Sequence, residues 1–373
     1  MGMIILSTVL SFLIAFLSIP VIIQVAKSKK LFDEPNERKL HITIIPTLGG
    51  LGIFAGFMLA TLLFISPSEM KELQYFFAAA LVIFFLGLKD DILVLSVTKK
   101  FMGQIIAACV LIQLGKIQIH HLHGLFGIEE LPASFSFILT LLLIIFVTNS
   151  FNLIDGVDGL TGSLGILTSL AFGSYFFIVQ ELQYAILSFA LTGSLIGFLV
   201  YNFPPAKIFM GDTGSMLVGL TNAILLIKFL TFSPGEHHSF YLGAAPAIGF
   251  ALLSIPVFDS LRVFTIRILQ KRSPFSPDRN HIHHFLLDLG CPPAFVSVII
   301  VGATIFWTAL AVMLHEMNPT ILLAILLCGQ LLFSGMIFYF RKNKMRKGEA
   351  QKTSHHKKVY QKPLPNWVMD SVE

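Results

Sequence analysis

Aspartates gather beside the ends of apolar runs in this 373-residue chain: Asp90 and Asp91 in GLKDD, Asp155 and Asp158 in NSFNLIDGVDGL, and Asp212 in FMGDTGS. Carboxylates at the edge of hydrocarbon are costly unless a cation compensates them. A divalent cation held by oxygen ligands is the natural compensator, and its usual work is on phosphate.

Each segment has a functional and a bland reading. Asp90 and Asp91 are adjacent like charges, which resist joint ionisation unless a metal or a base such as Lys100 sits between them. The bland alternative is a solvated helix end, although acids at a helix C-terminus oppose its dipole. Asn152, Asp155 and Asp158 recur at intervals of three, one face if helical, and Gly156 and Gly159 permit close approach of a ligand. Their bland reading is a polar turn. Asp212 is a plausible N-cap, but Phe209 three residues earlier can stack on a base, and Gly211, Thr213 and Gly214 can bring backbone amides to a phosphate. Arg279, His281, His283 and His284 in RNHIHH suit an anion better than zinc, since neither cysteine nor an HExxH spacing accompanies them. Imidazole beside phosphate is easily protonated, and arginine offers a bidentate fork.

The elements that must position these residues are membrane spans. Hydrophobic residues make up 55% and charged residues 13% of the chain, with a mean hydropathy of +0.80. That is an integral membrane composition, and it predicts an all-α polytopic fold. Apolar runs near the length of a bilayer crossing predict about eleven spans, at roughly 3–25, 48–66, 74–89, 101–116, 134–151, 160–180, 184–203, 214–232, 241–264, 293–314 and 320–340. Of the 26 lysines and arginines, only Lys71, Lys116 and Lys228 fall on one of the two faces this arrangement creates. The positive-inside rule then puts the N-terminus outside, the C-terminus in the cytoplasm and every aspartate segment on the cytoplasmic side. Residues 1–340 form one transmembrane unit, and 341–373 read as a basic, unstructured cytoplasmic tail. The first run lacks a basic n-region and is followed by KSKK, so it is expected to stay as a helix. Cys109, Cys291 and Cys328 have neither disulfide nor metal spacing. The formal charge of +5 needs no nucleic-acid partner, because topology and anionic membrane lipids account for it. His120, His121 and His123 lie in the outside loop 117–133, away from every aspartate, and receive no chemical role.

Taken in order, GLKDD, NSFNLIDGVDG, FMGDTGS and RNHIHH resemble the polyprenyl-phosphate N-acetylhexosamine-1-phosphate transferases, the superfamily that includes the bacterial phospho-MurNAc-pentapeptide translocase. The resemblance covers roughly 1–340 and extends to DEPNERKLHITIIPTLGG, where Arg38, Lys39, His41, Gly49 and Gly50 match. It implies a bacterial plasma-membrane enzyme that moves a sugar 1-phosphate from a UDP-N-acetylhexosamine to undecaprenyl phosphate, releasing UMP, with Mg²⁺ or Mn²⁺. Carried over residue by residue, it makes Asp212 and Asn152 metal ligands, Asp90 the base or orienter of the lipid phosphate, and Asp91 a support to the metal site. Lys100, Arg38 and Lys39 become substrate-binding residues, as does Asp155. Asp158 and Phe209 fall where the family contacts uracil, and Arg279 with the three histidines where it holds pyrophosphate or sugar. HIHH in place of three consecutive histidines resembles the GlcNAc-type branch. That favours a small UDP-N-acetylhexosamine over UDP-MurNAc-pentapeptide. Dimers occur in the translocase branch, so a homodimer is the one oligomer the resemblance suggests.

The competing class is a secondary transporter, whose ionisable residues belong near the bilayer midplane in paired, broken helices. No internal repeat is visible, and the polar segments gather at one face.

Overall fold

In hydrocarbon every backbone N–H and C=O must find a partner within its own segment, so long apolar runs become helices. The structure, a computed structural model, describes residues 1–29, 45–66, 70–232, 242–274, 276 and 278–360. Its elements are α1 (Gly2–Ser28), α2 (Gly49–Phe64), α3 (Met70–Leu93), α4 (Val97–Cys109, continued by a π-helical turn Val110–Leu114), β1 (His121–Leu125), β2 (Ile128–Glu130), α5 (Ala133–Ile154), α6 (Leu160–Ile178), α7 (Leu182–Asn202), α8 (Gly211–Phe232), α9 (Ala245–Leu252), α10 (Ser254–Leu269), α11 (Ile282–Asp288), α12 (Pro293–Met313) and α13 (Pro319–Tyr360).

The fold is an all-α polytopic bundle. Among the described residues, eight helices are long and apolar enough to cross a membrane: α1, α4 with its π turn, α5, α6, α7, α8, α12 and α13. The pair α9 and α10, bent by 82°, is a ninth when counted as one span. Sequence alone gave 241–264 as a single helix. The break has a cause in Pro256, whose missing N–H cannot close the bond to the carbonyl four residues back. The loop 117–133 holds a hairpin, with β1 antiparallel to β2 and His121 opposite Glu130. The last helix continues beyond 340 to Tyr360.

One helix is the axis of the bundle. Every residue from Thr213 to Leu230 on α8 is buried, enclosed by α2, α3, α5 and α6. Lipid tails are as apolar as leucine, so helices in a bilayer are held by close packing at small residues. A Cβ on Gly87 would stand 2.5 Å from the Thr213 Cα, and one on Gly50 2.3 Å from the Gly214 amide nitrogen. The helices α2 and α3 therefore meet α8 backbone to backbone just where the aspartates lie.

Candidate active site

Four segments converge at the N-terminal end of α8. Gly211 has φ +72°, and a Cβ there would meet the Thr47 carbonyl at 2.2 Å and both Asp91 carboxylate oxygens at 2.7 Å. Only glycine fits that turn. The strand-like segment before it is zipped to the start of α2. Phe209 donates its N–H to the Pro46 carbonyl at 2.8 Å, and Gly49 and Gly50 donate to the carbonyls of Phe209 and Met210 at 2.9 Å each.

Asp91 supplies what the free amides of α8 require. Its Oδ1 accepts the Asp212 N–H at 2.7 Å, and its Oδ2 accepts the Thr213 N–H at 3.0 Å and the Thr213 hydroxyl at 2.5 Å. A helix N-terminus leaves its first amides without intrahelical partners, and a carboxylate is the best acceptor for them. The expected cap, Asp212, is displaced from that role by Asp91 of another helix. Asp91 was expected to support the metal site; here both its oxygens are committed to holding α8.

Asp212 is thereby released to face the cleft. Its Oδ1 accepts from Asn152 Nδ2 at 2.9 Å, and Asn152 also donates to the Ser215 hydroxyl at 3.0 Å. Lys100 Nζ pairs with Asp212 Oδ2 and stands 2.6 Å from Asp90 Oδ2, while Asp90 Oδ1 accepts the Leu95 N–H at 2.5 Å. The lysine fills the gap between two carboxylates, Asp90 of α3 and Asp212 of α8, rather than between the adjacent Asp90 and Asp91.

These groups line a cavity of about 290 Å³ with Thr47, Asp155 and Phe209. A second, of about 200 Å³, adjoins it and is lined by Asp155, Gly156, Asp158, Asn202 and Phe209. Desolvation in the cleft, reinforced by the nearby carboxylates of Asp212, Asp91 and Asp158, pushes Asp155 up to about 7. Asp158 Oδ2 accepts the Ala206 N–H at 3.2 Å. The buried Asn202, which sequence reasoning passed over, ties the two loops together: its Oδ1 takes the Gly159 N–H at 2.8 Å and its Nδ2 reaches the Ile208 carbonyl at 2.8 Å. Phe209 is 36% exposed, available as a stacking face.

The histidine segment borders this second cavity. A Cβ on Gly156 would lie 2.6 Å from His283 Nε2, so only glycine there admits the imidazole. Burial, with His284 beside it, holds His283 down at about 3, and burial with Arg279 nearby lowers His284 also. Both shifts favour the neutral ring. His281 is buried too, its Nδ1 2.9 Å from Asp259 Oδ2. Asp259 in turn takes Arg262 at 2.7 Å and the Ile282 N–H at 3.2 Å. A second brace joins buried Arg267 to Asp278 through two bonds of 3.0 Å, which hold the Asp278 carboxyl well below the usual range. Phe285 on α11 lies between the guanidinium groups of Arg262 and Arg341, 5.2 and 4.4 Å from its ring centre. Arg279, by contrast, has a side chain 72% exposed and pairs with Asp288 at 3.7 Å. The structure does not bring it to the carboxylates. Arg38 and Lys39 lie outside the described residues.

His283 carries a pH prediction. Its folded value lies below its ordinary 6.5, so the unfolded chain binds the proton more readily and the imidazole stabilises the fold fully only above about 6.5. That contribution is lost progressively as pH falls toward about 3. The melting temperature in detergent should therefore drop on acidification from pH 7 to 5, and His283→Gln should reduce that slope.

The donor set is oxygen-rich: the Asp212 carboxylate and Asn152 amide, with Asp90 and Asp155 in the same cleft. Among the described residues no three His, Cys, Asp or Glu side chains form a metal-binding group. Hard oxygen donors in small number fit Mg²⁺, which keeps waters and takes substrate phosphates as its remaining ligands.

A sequence profile of glycosyl transferase family 4 matches residues 73–230, the stretch from α3 to α8 that contributes Asp90, Asp91, Lys100, Asn152 and Asp212. The decaprenyl-phosphate N-acetylglucosaminephosphotransferase of Mycobacterium leprae is 34% identical over 336 residues, covering 81% of each chain. The undecaprenyl-phosphate alpha-N-acetylglucosaminyl 1-phosphate transferase of Escherichia coli strain K12 is 31% identical over 287 residues, covering 75% of this chain and 76% of its own. Likeness of that extent covers three quarters or more of the chain, and with the matched stretch that holds the carboxylate cleft it shows that the chain belongs to glycosyl transferase family 4.

Proposed function

We propose that the protein transfers N-acetylglucosamine 1-phosphate, or a related N-acetylhexosamine 1-phosphate, from its UDP-sugar to undecaprenyl phosphate. A lipid phosphate oxygen attacks the sugar-bearing β-phosphorus, the bond from that phosphorus to the α-phosphate oxygen breaks, and UMP leaves. The observation that carries this reading is the carboxylate cleft itself, in which Lys100 is shared by Asp90 and Asp212 at the end of α8. The names of the relatives from Mycobacterium leprae and Escherichia coli support the substrate class.

The chain's own groups divide the work. Lys100 offers a cation to an incoming phosphate, and Asp90 orients the lipid phosphate beside it. Asp158, with one oxygen on the Ala206 amide, keeps the other for the base. Phe209 stacks on that base. His283 and His284 reach the sugar side as neutral donors or acceptors. Asp212 and Asn152 would hold a Mg²⁺ or Mn²⁺ ion, which would supply Lewis-acid stabilisation of the charge that develops on the leaving UMP. An apolar groove of about 590 Å³ between α4, α5, α8 and the bent α9–α10 pair suits the polyprenyl tail.

The membrane arrangement completes the reading. Adding α2, α3 and the bent α9–α10 pair to the eight long helices gives eleven crossings, with the N-terminus outside and the cleft facing the cytoplasm, where the lysines and arginines concentrate.

Purified protein given undecaprenyl phosphate and a panel of UDP-sugars should release UMP with an N-acetylhexosamine donor, and EDTA should stop it. Release without the lipid, or from none of the donors by folded protein, removes this function. Phe209→Ala should raise the KM for the UDP-sugar about tenfold with kcat little changed, since stacking on a base contributes to ground state and transition state alike. An unchanged KM removes the stacking role.

A further inference from the structure

The apolar groove is lined by leucine, isoleucine, valine and phenylalanine from six helices and the hairpin, with Pro246 beside them. One polar residue interrupts it, Asn149. Along α5 the lining runs Leu139, Leu142, Phe146, Asn149, spaced by three and four, and the same face continues one turn later to Asn152 in the carboxylate cavity. At 1.5 Å per residue, Leu139 to Asn152 is about 20 Å of continuous rail from hydrocarbon to the cleft. On the neighbouring α4 the pattern repeats. Lys100 stands in the cleft, Phe101 lines the groove, and Gln104 lies one turn deeper than Lys100.

The two deeper amides pair with each other. Asn149 Nδ2 donates to Gln104 Oε1 at 2.7 Å and to the Ile145 carbonyl at 2.7 Å; Gln104 Nε2 donates back to Asn149 Oδ1 at 3.3 Å and to Met216 Sδ at 3.4 Å. Gln104 is buried, whereas Asn149 is half-exposed to the groove. A pair serving only as interhelical glue would be enclosed on both sides. Here Gln104 and the Ile145 carbonyl take the Asn149 amide hydrogens, and the asparagine side chain lines the groove one turn from Asn152 of the cleft.

We propose that Asn149, oriented by Gln104, binds the phosphate-ester end of the polyprenyl phosphate acceptor. This rests on the function proposed above and assigns the register of its lipid substrate. One amide hydrogen of Asn149 turns to a phosphate-ester oxygen while the other stays on its protein acceptor. The isoprenoid chain then lies along Phe146, Leu142 and Leu139, and the terminal phosphate oxygens reach Lys100. A neutral amide suits this boundary. It binds a phosphate oxygen without the desolvation cost of a second buried ion, and being neutral it stays satisfied by Gln104 when no lipid is present.

The test compares undecaprenyl phosphate with a three-isoprene phosphate as acceptor for the full-length protein in detergent with Mg²⁺. Asn149→Leu should raise the KM for both lipids about tenfold, the loss expected for one charge-assisted hydrogen bond, and leave the KM for the UDP-sugar within about twofold. Phe146→Ala should raise the KM for the long lipid only. Gln104→Leu, which leaves α5 untouched, should shift the lipid KM in the same direction and provides the reading if Asn149→Leu does not fold. An unchanged lipid KM in both amide variants overturns the inference, as does a rise in both substrates' KM together, which marks a structural pair. Wild-type protein that releases no UMP with either lipid defeats the function itself, a result distinct from failure of the variants alone.

Discussion

Asp212→Asn should reduce UMP release at least about a thousandfold, equivalent to about 4 kcal/mol of transition-state stabilisation, without loss of fold. Asp212 is the one carboxylate in the cleft that meets both Lys100 and Asn152. An asparagine there presents an NH₂ to one of those donors and withdraws the charge that a bound cation requires. The readout is UMP formation beside a thermal melt in the same detergent. A variant within a fewfold of wild type, with an unchanged melt, would take Asp212 out of the site. Asp90→Asn should share the loss of turnover, since Asp90 shares the same lysine, and should leave the melting temperature unmoved.

Asp91→Asn should behave differently, losing about a hundredfold in kcat and lowering the melting temperature together. Its two oxygens receive the first amides of α8 and the Thr213 hydroxyl. An amide nitrogen facing those donors leaves at least one of them unpaired, a cost of about 1–2 kcal/mol by comparison with lost caps. The N-terminal turn of α8 then shifts and carries Asp212 with it. A lowered kcat with an unchanged melt would instead make Asp91 a direct participant in the chemistry.

The contrast between neighbours shows where sequence reading reaches and where it stops. Charges are scarce in an apolar chain, so Asp90, Asp91, Asp155, Asp158 and Asp212 stood out at once, and the structure lines one cleft or its adjoining pocket with them. What spacing cannot show is the partner that each side chain takes across the bundle. Nothing local marks Asp91 as the cap of a helix beginning 120 residues later, or Asp259 as the holder of His281, because those bonds depend on how helices dock. Gly87 was quoted within GLKDD, but its purpose is the passage of α3 against Thr213 at 2.5 Å, a tertiary fact. Asn149 and Gln104 were missed for a different reason. Gln104 reads as a tolerated polar position within an apolar run, and Asn149, although it opens NSFNLIDGVDGL, is passed over for Asn152, Asp155 and Asp158 until the groove is seen to reach it. The bend between α9 and α10 was partly legible, since Pro256 announces it, whereas continuous apolar residues around it argue for one long span.

The enclosure of α8 bears on how the enzyme comes into being. Its main neighbours α2, α3, α5 and α6 precede it in the chain and α9 follows it, so α8 enters a slot its predecessors have largely formed. A nascent chain that has inserted only through α7 holds Asp90, Lys100 and Asn152 in the membrane but has no cleft. The carboxylate cleft is thus assembled only when α8 arrives and Asp91 takes its first amides, and the histidine segment of α11 joins it later still.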